Sequence, residues 1–101
     1  MTEEERFQEA VEHLEAAQRA DPNNTTTHKA LGLAYVWVGE LEKAQLLLQN
    51  APDIVAELNT WGWWRDSRQQ TGLSLNAYRT SLLLEPNQPN VRERVEQLES
   101  E

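Results

Sequence analysis

Between His28 and Ala51 the apolar residues return every three or four positions, pause, and resume. Leu31, Ala34, Tyr35 and Val38 fall on one face of a helix, and Leu41, Ala44, Leu48 and Ala51 fall on one face of the next. Gly39-Glu40 separates the two runs. Glycine suits the left-handed conformation that ends many helices, and so short a connection turns the second helix back along the first. Small residues stand where the pair would cross: Gly32 on one helix, Ala44 and Ala51 on the other. Glycine inside a helix costs roughly 1 kcal/mol relative to alanine, so Gly32 needs a packing reason, and close approach of two helices supplies one.

The same period runs through the rest of the chain. Residues 3–20 predict a first helix with Phe7, Ala10, Val11, Leu14 and Ala17 on its apolar stripe and Glu3 to Glu5 at its positive start. Asp21-Pro22 ends it, because the residue before a proline is pushed out of the helical region, and Asn23-Asn24 caps a second helix over Thr25 to Val38. A fourth runs from about Asp53 to Arg68, with Val55, Leu58, Trp61 and Trp64 or Arg65 as its stripe. Trp61 is expected to fill the crossing beside Gly62, buried against Leu58, Ser74 and Tyr78. Thr71-Gly72 marks a break before a fifth helix, from about Leu73 to Glu85, with Leu75, Tyr78 and Leu82 inside. Pro86-Asn87 stops it. Pro89 fits the first turn of a last helix that ends near Ser100 and carries only the narrow stripe Val91, Val95 and Leu98, as an end piece facing water would. No stretch alternates with the period of a strand.

Self-comparison reveals a repeat. Ala10, Leu14, Ala17 and Pro22 match Ala44, Leu48 and Ala51, and match again as Ser74, Tyr78, Ser81 and Pro86. Leu31-Gly32 recurs as Trp61-Gly62, 30 residues later. The order large, Gly, small, large, small, Pro resembles the tetratricopeptide repeat (TPR) family over residues 7–86. The unit with Leu31, Gly32, Tyr35, Gly39, Ala44, Leu48 and Ala51 matches best. The following unit departs from the family pattern, with Arg65 at an aromatic position and serine at both small sites. The second unit also lacks four residues before Pro52, about one helical turn, so the faces stay in phase. The resemblance implies an all-α fold, a TPR-like helical solenoid of antiparallel helix pairs with a C-terminal capping helix and about six helices. It is expected to form a single domain over 1–101, divided into a half repeat (3–22), two repeats (25–52 and 53–86) and the capping helix (88–100). Only six residues precede Phe7, so the first unit lacks its A helix. Either the segment is cut from a longer protein or another chain covers that edge.

Composition narrows the function. The 101 residues are 39% hydrophobic with four Gly and four Pro, which suits a folded chain. There is no cysteine for a disulfide or thiolate metal site. A net charge of −8 argues against nucleic acid, whose binding draws on Lys and Arg. No apolar run approaches the roughly 20 residues of a membrane span, and the acidic opening MTEEERFQEA has no signal-peptide core. The cytoplasm is the default location. His13 and His28 stand in no metal-ligand spacing, and no serine lies in a nucleophile elbow or phosphate loop. The expectation is therefore a protein that is not an enzyme and holds no cofactor or metal.

The tryptophans carry the functional signal. Trp63 points roughly 160° away from Trp61 at 100° per residue, among Ala56, Asn59, Thr60, Asp66 and Ser67, and Trp37 lies off its core stripe above Ala30 and Leu33. In the TPR family that face of the A helix lines the concave groove that holds peptides. Trp37 and Trp63 are then either binding anchors or residues packed on a neighbouring A helix. The expected partner-binding set is Lys29, Leu33, Trp37, Asn59, Trp63 and Asp66, lining one continuous concave surface. Some TPR proteins clamp a C-terminal carboxylate. Lys29 and Arg94 match those positions, whereas Leu33, Thr60 and Asn90 do not, so chaperone-tail binding is not expected. The function expected is a protein–protein interaction module that takes a peptide or partner helix in its groove. The alternative is a self-assembly or scaffold unit, a homo-oligomer pairing through its open N-terminal edge.

Overall fold

The computed structural model describes residues 2–101. Six helices follow one another: α1 (Glu3–Ala20), α2 (Thr25–Val38), α3 (Leu41–Leu48), α4 (Ile54–Ser67), α5 (Thr71–Leu84) and α6 (Pro89–Glu99). The described residues contain no strand, so the fold is an all-α helical repeat. The chain divides into two compact units, Met1–Ala51 and Pro52–Glu101.

In the first unit α1 packs on α2 and α2 on α3. The helix starts are chemically specified. Thr2 Oγ1 accepts from the Glu5 amide and Asn24 Oδ1 from the Thr27 amide, each at 3.1 Å, satisfying donors that a helix start leaves open. His28 Nε2 sits 2.6 Å from the Pro22 carbonyl oxygen and ties the α1–α2 turn. Leu31, Val36, Ala44 and Leu48 are fully buried. Gly32 allows the closest approach, since a Cβ there would lie 2.7 Å from Leu48 Cγ and Cδ2. On α1 only Val11 of the expected stripe is buried; Phe7, Ala10 and Leu14 are half-buried and Ala17 is exposed. A helix that packs principally on one neighbour buries one line of side chains rather than a broad face.

In the second unit α4 packs on α5 and α5 on α6. The two units repeat each other at the spacing of 30. Gly39 (φ 84°) ends α2 while the Glu40 amide bonds the Tyr35 carbonyl at 2.9 Å; Gln69 (φ 61°) ends α4 while the Gln70 amide bonds the Arg65 carbonyl at 2.9 Å. Both are six-to-one helix closures, but Gln69 pays about 1 kcal/mol for a left-handed conformation that glycine adopts freely. The reversal therefore falls at Gln69, and Thr71-Gly72, expected as the break, forms the first turn of α5. Glu40 (φ −87°, ψ 68°) and Gln70 (φ −91°, ψ 67°) then start α3 and α5 with the same backbone. Ala44 and Ser74 are both fully buried, and Leu48 and Tyr78 face Gly32 and Gly62. Ser74 Oγ donates to the Gly62 carbonyl at 2.8 Å. Tyr78 joins Val95 and Leu98 in a cluster flanked by Leu75, Leu82 and Val91, which holds α6 on α5.

Trp61 is the main departure. It is 37% exposed, and the seat beside Gly62 is filled by the Tyr78 ring. The buried line of α4 is Ile54, Leu58, Gly62 and Arg65, rotated from the stripe drawn through Val55, Leu58 and Trp61. Tracking the largest apolar residues misplaces the stripe, because the glycine that permits contact decides which face meets α5. Trp61→Ala is accordingly not a core truncation. Arg65 takes the place of an aromatic residue: its guanidinium donates to Gln70 Oε1 at 2.8 Å and lies 5.2 Å from the centre of the Trp64 ring.

A pH dependence follows from Tyr35. Its ring is buried, its hydroxyl donates to Glu15 Oε2 at 2.6 Å, and the Lys43 ammonium lies 5.5 Å from the ring centre. Burial first, then the Glu15 hydrogen bond and charge, push the phenol up from 10.0 to about 12. The folded state thus holds this proton more tightly than the unfolded chain. Its stabilising contribution is whole below the ordinary phenol pKa, declines between 10.0 and about 12, and is gone above that range. In urea melts the wild type should lose stability relative to Tyr35→Phe as pH rises through this window; a difference between the two that is unchanged across it would rule the linkage out.

Candidate functional site

Lys29, Leu33 and Trp37 lie in the first unit, one turn apart on α2, and all three are half-buried. The Trp37 ring stacks on Phe7 of α1, centres 6.0 Å apart and planes 29° apart. This tryptophan therefore packs on a neighbouring helix.

Asn59, Trp63 and Asp66 lie in the second unit on one face of α4. Trp63 is 64% exposed, an unusual position for so large an apolar ring. The backbone beneath it is decorated with hydroxyls: Ser67 Oγ donates to the Trp63 carbonyl at 2.8 Å and Thr60 Oγ1 to the Ala56 carbonyl at 2.9 Å. Flanking Trp63, two polar groups reach across to the α6 end of the unit. Asn59 Nδ2 donates to Gln88 Oε1 at 2.8 Å, and Gln88 Nε2 in turn donates to the carbonyl of Glu85 at 2.7 Å and to Ser81 Oγ at 3.0 Å. Asn59 Oδ1 is buried and has no hydrogen-bond partner among the described residues. Asp66 receives a two-pronged contact from Arg94, Nε to Oδ2 at 2.7 Å and Nη2 to Oδ1 at 2.8 Å.

The Arg94 hydrogen bonds hold the Asp66 carboxyl below its usual range, more than burial raises it. Because the folded state binds that proton less tightly, the pair contributes stability above the ordinary aspartate pKa, and this is lost as pH falls through the lowered value. Arg94 also donates to Gln97 Oε1 at 3.0 Å. Its guanidinium is thus occupied by the chain's own groups, which does not suit a clamp for an external carboxylate.

Sequence reasoning placed Asn59, Trp63 and Asp66 on one face but missed Gln88, which bridges α4, α5 and the start of α6. Glutamine before a helix-starting proline is not a preferred cap, so no local signal marks it. Among the described residues no group of three or more His, Cys, Asp or Glu side chains is placed to hold a metal ion. No helix of the described residues is long and apolar enough to cross a membrane. Among the described residues the exposed large apolar side chains include Leu46, Trp61, Trp63 and Leu83, while Phe7 and Leu14 of α1 are half-buried.

A family model described as tetratricopeptide repeat matches residues 1–57. No curated protein and no solved structure matches the chain.

Proposed function

The chain belongs to the tetratricopeptide repeat family, and from that premise we propose that it is a non-catalytic module that binds a peptide or helix of another protein, with Trp63 as the anchor. Repeats of this family are typically interaction modules, and the observation that carries the reading here is the 64% exposure of Trp63. Tryptophan is costly to leave in water and is enriched among residues that dominate binding energy. Asn59 and Asp66 flank it; Asp66 is paired with Arg94, but each carboxylate oxygen keeps a further acceptor lone pair for a peptide N–H. Lys29, Leu33 and Trp37 on α2 are the corresponding contact residues of the first unit, with Trp37 contributing through its packing on Phe7.

The test is affinity capture with the wild type and Trp63→Ala, followed by a binding titration of the recovered partner. Because the ring is mostly in water, Trp63→Ala should melt within a few tenths of a kcal/mol of the wild type. It should weaken the partner by about 1–2 kcal/mol or more. Equal binding by both proteins would remove Trp63 from the site.

A further inference from the structure

The opposite flank of α4 carries a second, chemically distinct cluster. At 100° per residue Trp61, Trp64 and Arg68 share one flank, and Trp63 lies roughly 100° or more around the helix from each of the first two. Trp61 meets Trp64 edge-on, with ring centres 5.8 Å apart and an interplanar angle of 85°. The Arg68 guanidinium carbon lies 3.7 Å from the centre of the Trp64 ring, and that of Arg65 lies 5.2 Å from it. One indole thus gathers two cations in a chain whose net charge is −8.

Arg68 differs from the other arginines of its unit. Arg94 bonds Asp66, Arg79 pairs with Glu99 at 3.2 Å, Arg92 donates to the Pro86 carbonyl at 2.8 Å, and Arg65 donates to Gln70. Arg68 is exposed, and its side chain makes no hydrogen bond or ion pair among the described residues; its contact is the aromatic face. A guanidinium 3.7 Å over an indole centre has given up water on that side, while its N–H donors form no hydrogen bond among the described residues. Those donors match a carboxylate with two parallel hydrogen bonds. Next to it Trp61 is 37% exposed and calls for an apolar group. Glu57, one turn before Trp61 on the same flank, carries the opposite charge.

We propose that the Trp61–Trp64–Arg68 flank of α4 is a docking site for an acidic peptide segment of a partner protein, Arg68 pairing with an Asp or Glu carboxylate while the adjoining apolar side chain covers Trp61. Charge complementarity selects the acid, and the exposed indole selects a peptide over a free anion, which would leave that ring in water. The site is separate from the Trp63 face and does not depend on it.

The test uses the full chain and two capped peptides, one alternating glutamate with leucine and one alternating lysine with leucine, at physiological ionic strength. There a Debye length of about 8 Å screens the net charge more than a contact pair. The indole N–H signals of Trp61 and Trp64 should shift with the glutamate peptide and stay put with the lysine peptide. Arg68→Gln should weaken binding about tenfold or more, the size of one charged hydrogen-bonding contact. Arg68→Lys should fall between, keeping the charge and losing the flat fork. Trp63→Ala should bind like the wild type. Circular dichroism should show all variants folded, since both side chains are exposed. Equal binding of the two peptides, indifference to Arg68→Gln, or loss on Trp63→Ala would overturn the proposal. So would concentration-dependent sedimentation abolished by Arg68→Gln, since the occupant would then be the acidic surface of a second copy.

Discussion

Leu48→Ala should lower the free energy of unfolding by about 2–5 kcal/mol, the range for emptying a fully buried leucine site. Domains of this size have only roughly 5–15 kcal/mol in total, so the loss should be plain in a urea melt followed by circular dichroism. Leu46, two residues earlier on α3, is 68% exposed, and Leu46→Ala should move the melt by no more than about 0.5 kcal/mol. The contrast isolates packing from residue type. The partner of Leu48 makes the prediction sharper. A Cβ on Gly32 would lie 2.7 Å from Leu48 Cγ and Cδ2, so Gly32→Ala alone should overpack the crossing by about 1–3 kcal/mol. In the Leu48→Ala background the added methyl enters vacated space, and the two costs should fall well short of their sum. Strict additivity would mean that Gly32 and Leu48 do not share the crossing.

In the second unit Gly62→Leu should destabilise by about 1–3 kcal/mol or more, although leucine is the better helix former by roughly 1 kcal/mol. A Cβ there would stand 2.6 Å from Cδ1 and Cε1 of Tyr78 and 2.9 Å from its Cζ. The obstacle is a flat ring rather than the end of a flexible chain, and it is held among Leu75, Leu82, Val91, Val95 and Leu98. Relief requires α4 and α5 to part, which also stretches the Ser74–Gly62 hydrogen bond. Gly72 provides the control. It lies exposed in the first turn of α5 with nothing within 4 Å of an added Cβ, so Gly72→Ala should stabilise by about 0.4–1 kcal/mol. Thermal melts of the two variants should move in opposite directions. A Gly62→Leu protein that melts higher than the wild type would place the crossing elsewhere.

The helices, the turn at Gly39 and the 30-residue register are written locally. Apolar spacing, prolines and caps act within a few residues of one another, so a single chain displays them. That Gly32 and Gly62 stand at helix crossings was also foreshadowed, because a mid-helix glycine is unfavourable unless a neighbour needs the space; that Leu48 and Tyr78 fill those crossings was not. Placing Asn59, Trp63 and Asp66 on one face required only the helical period. Which face of α4 goes inside was another matter. With Trp61, Trp63 and Trp64 spread around the helix, hydrophobicity no longer distinguishes inside from outside, and contact between Gly62 and Tyr78 decides it, leaving Trp61 partly in water. The stacking of Trp37 on Phe7, the Asn59–Gln88 bond and the Asp66–Arg94 pair join residues about 30 positions apart. No local pattern encodes such partners, because the free energy of each contact exists only once the helices between them have folded the chain back on itself.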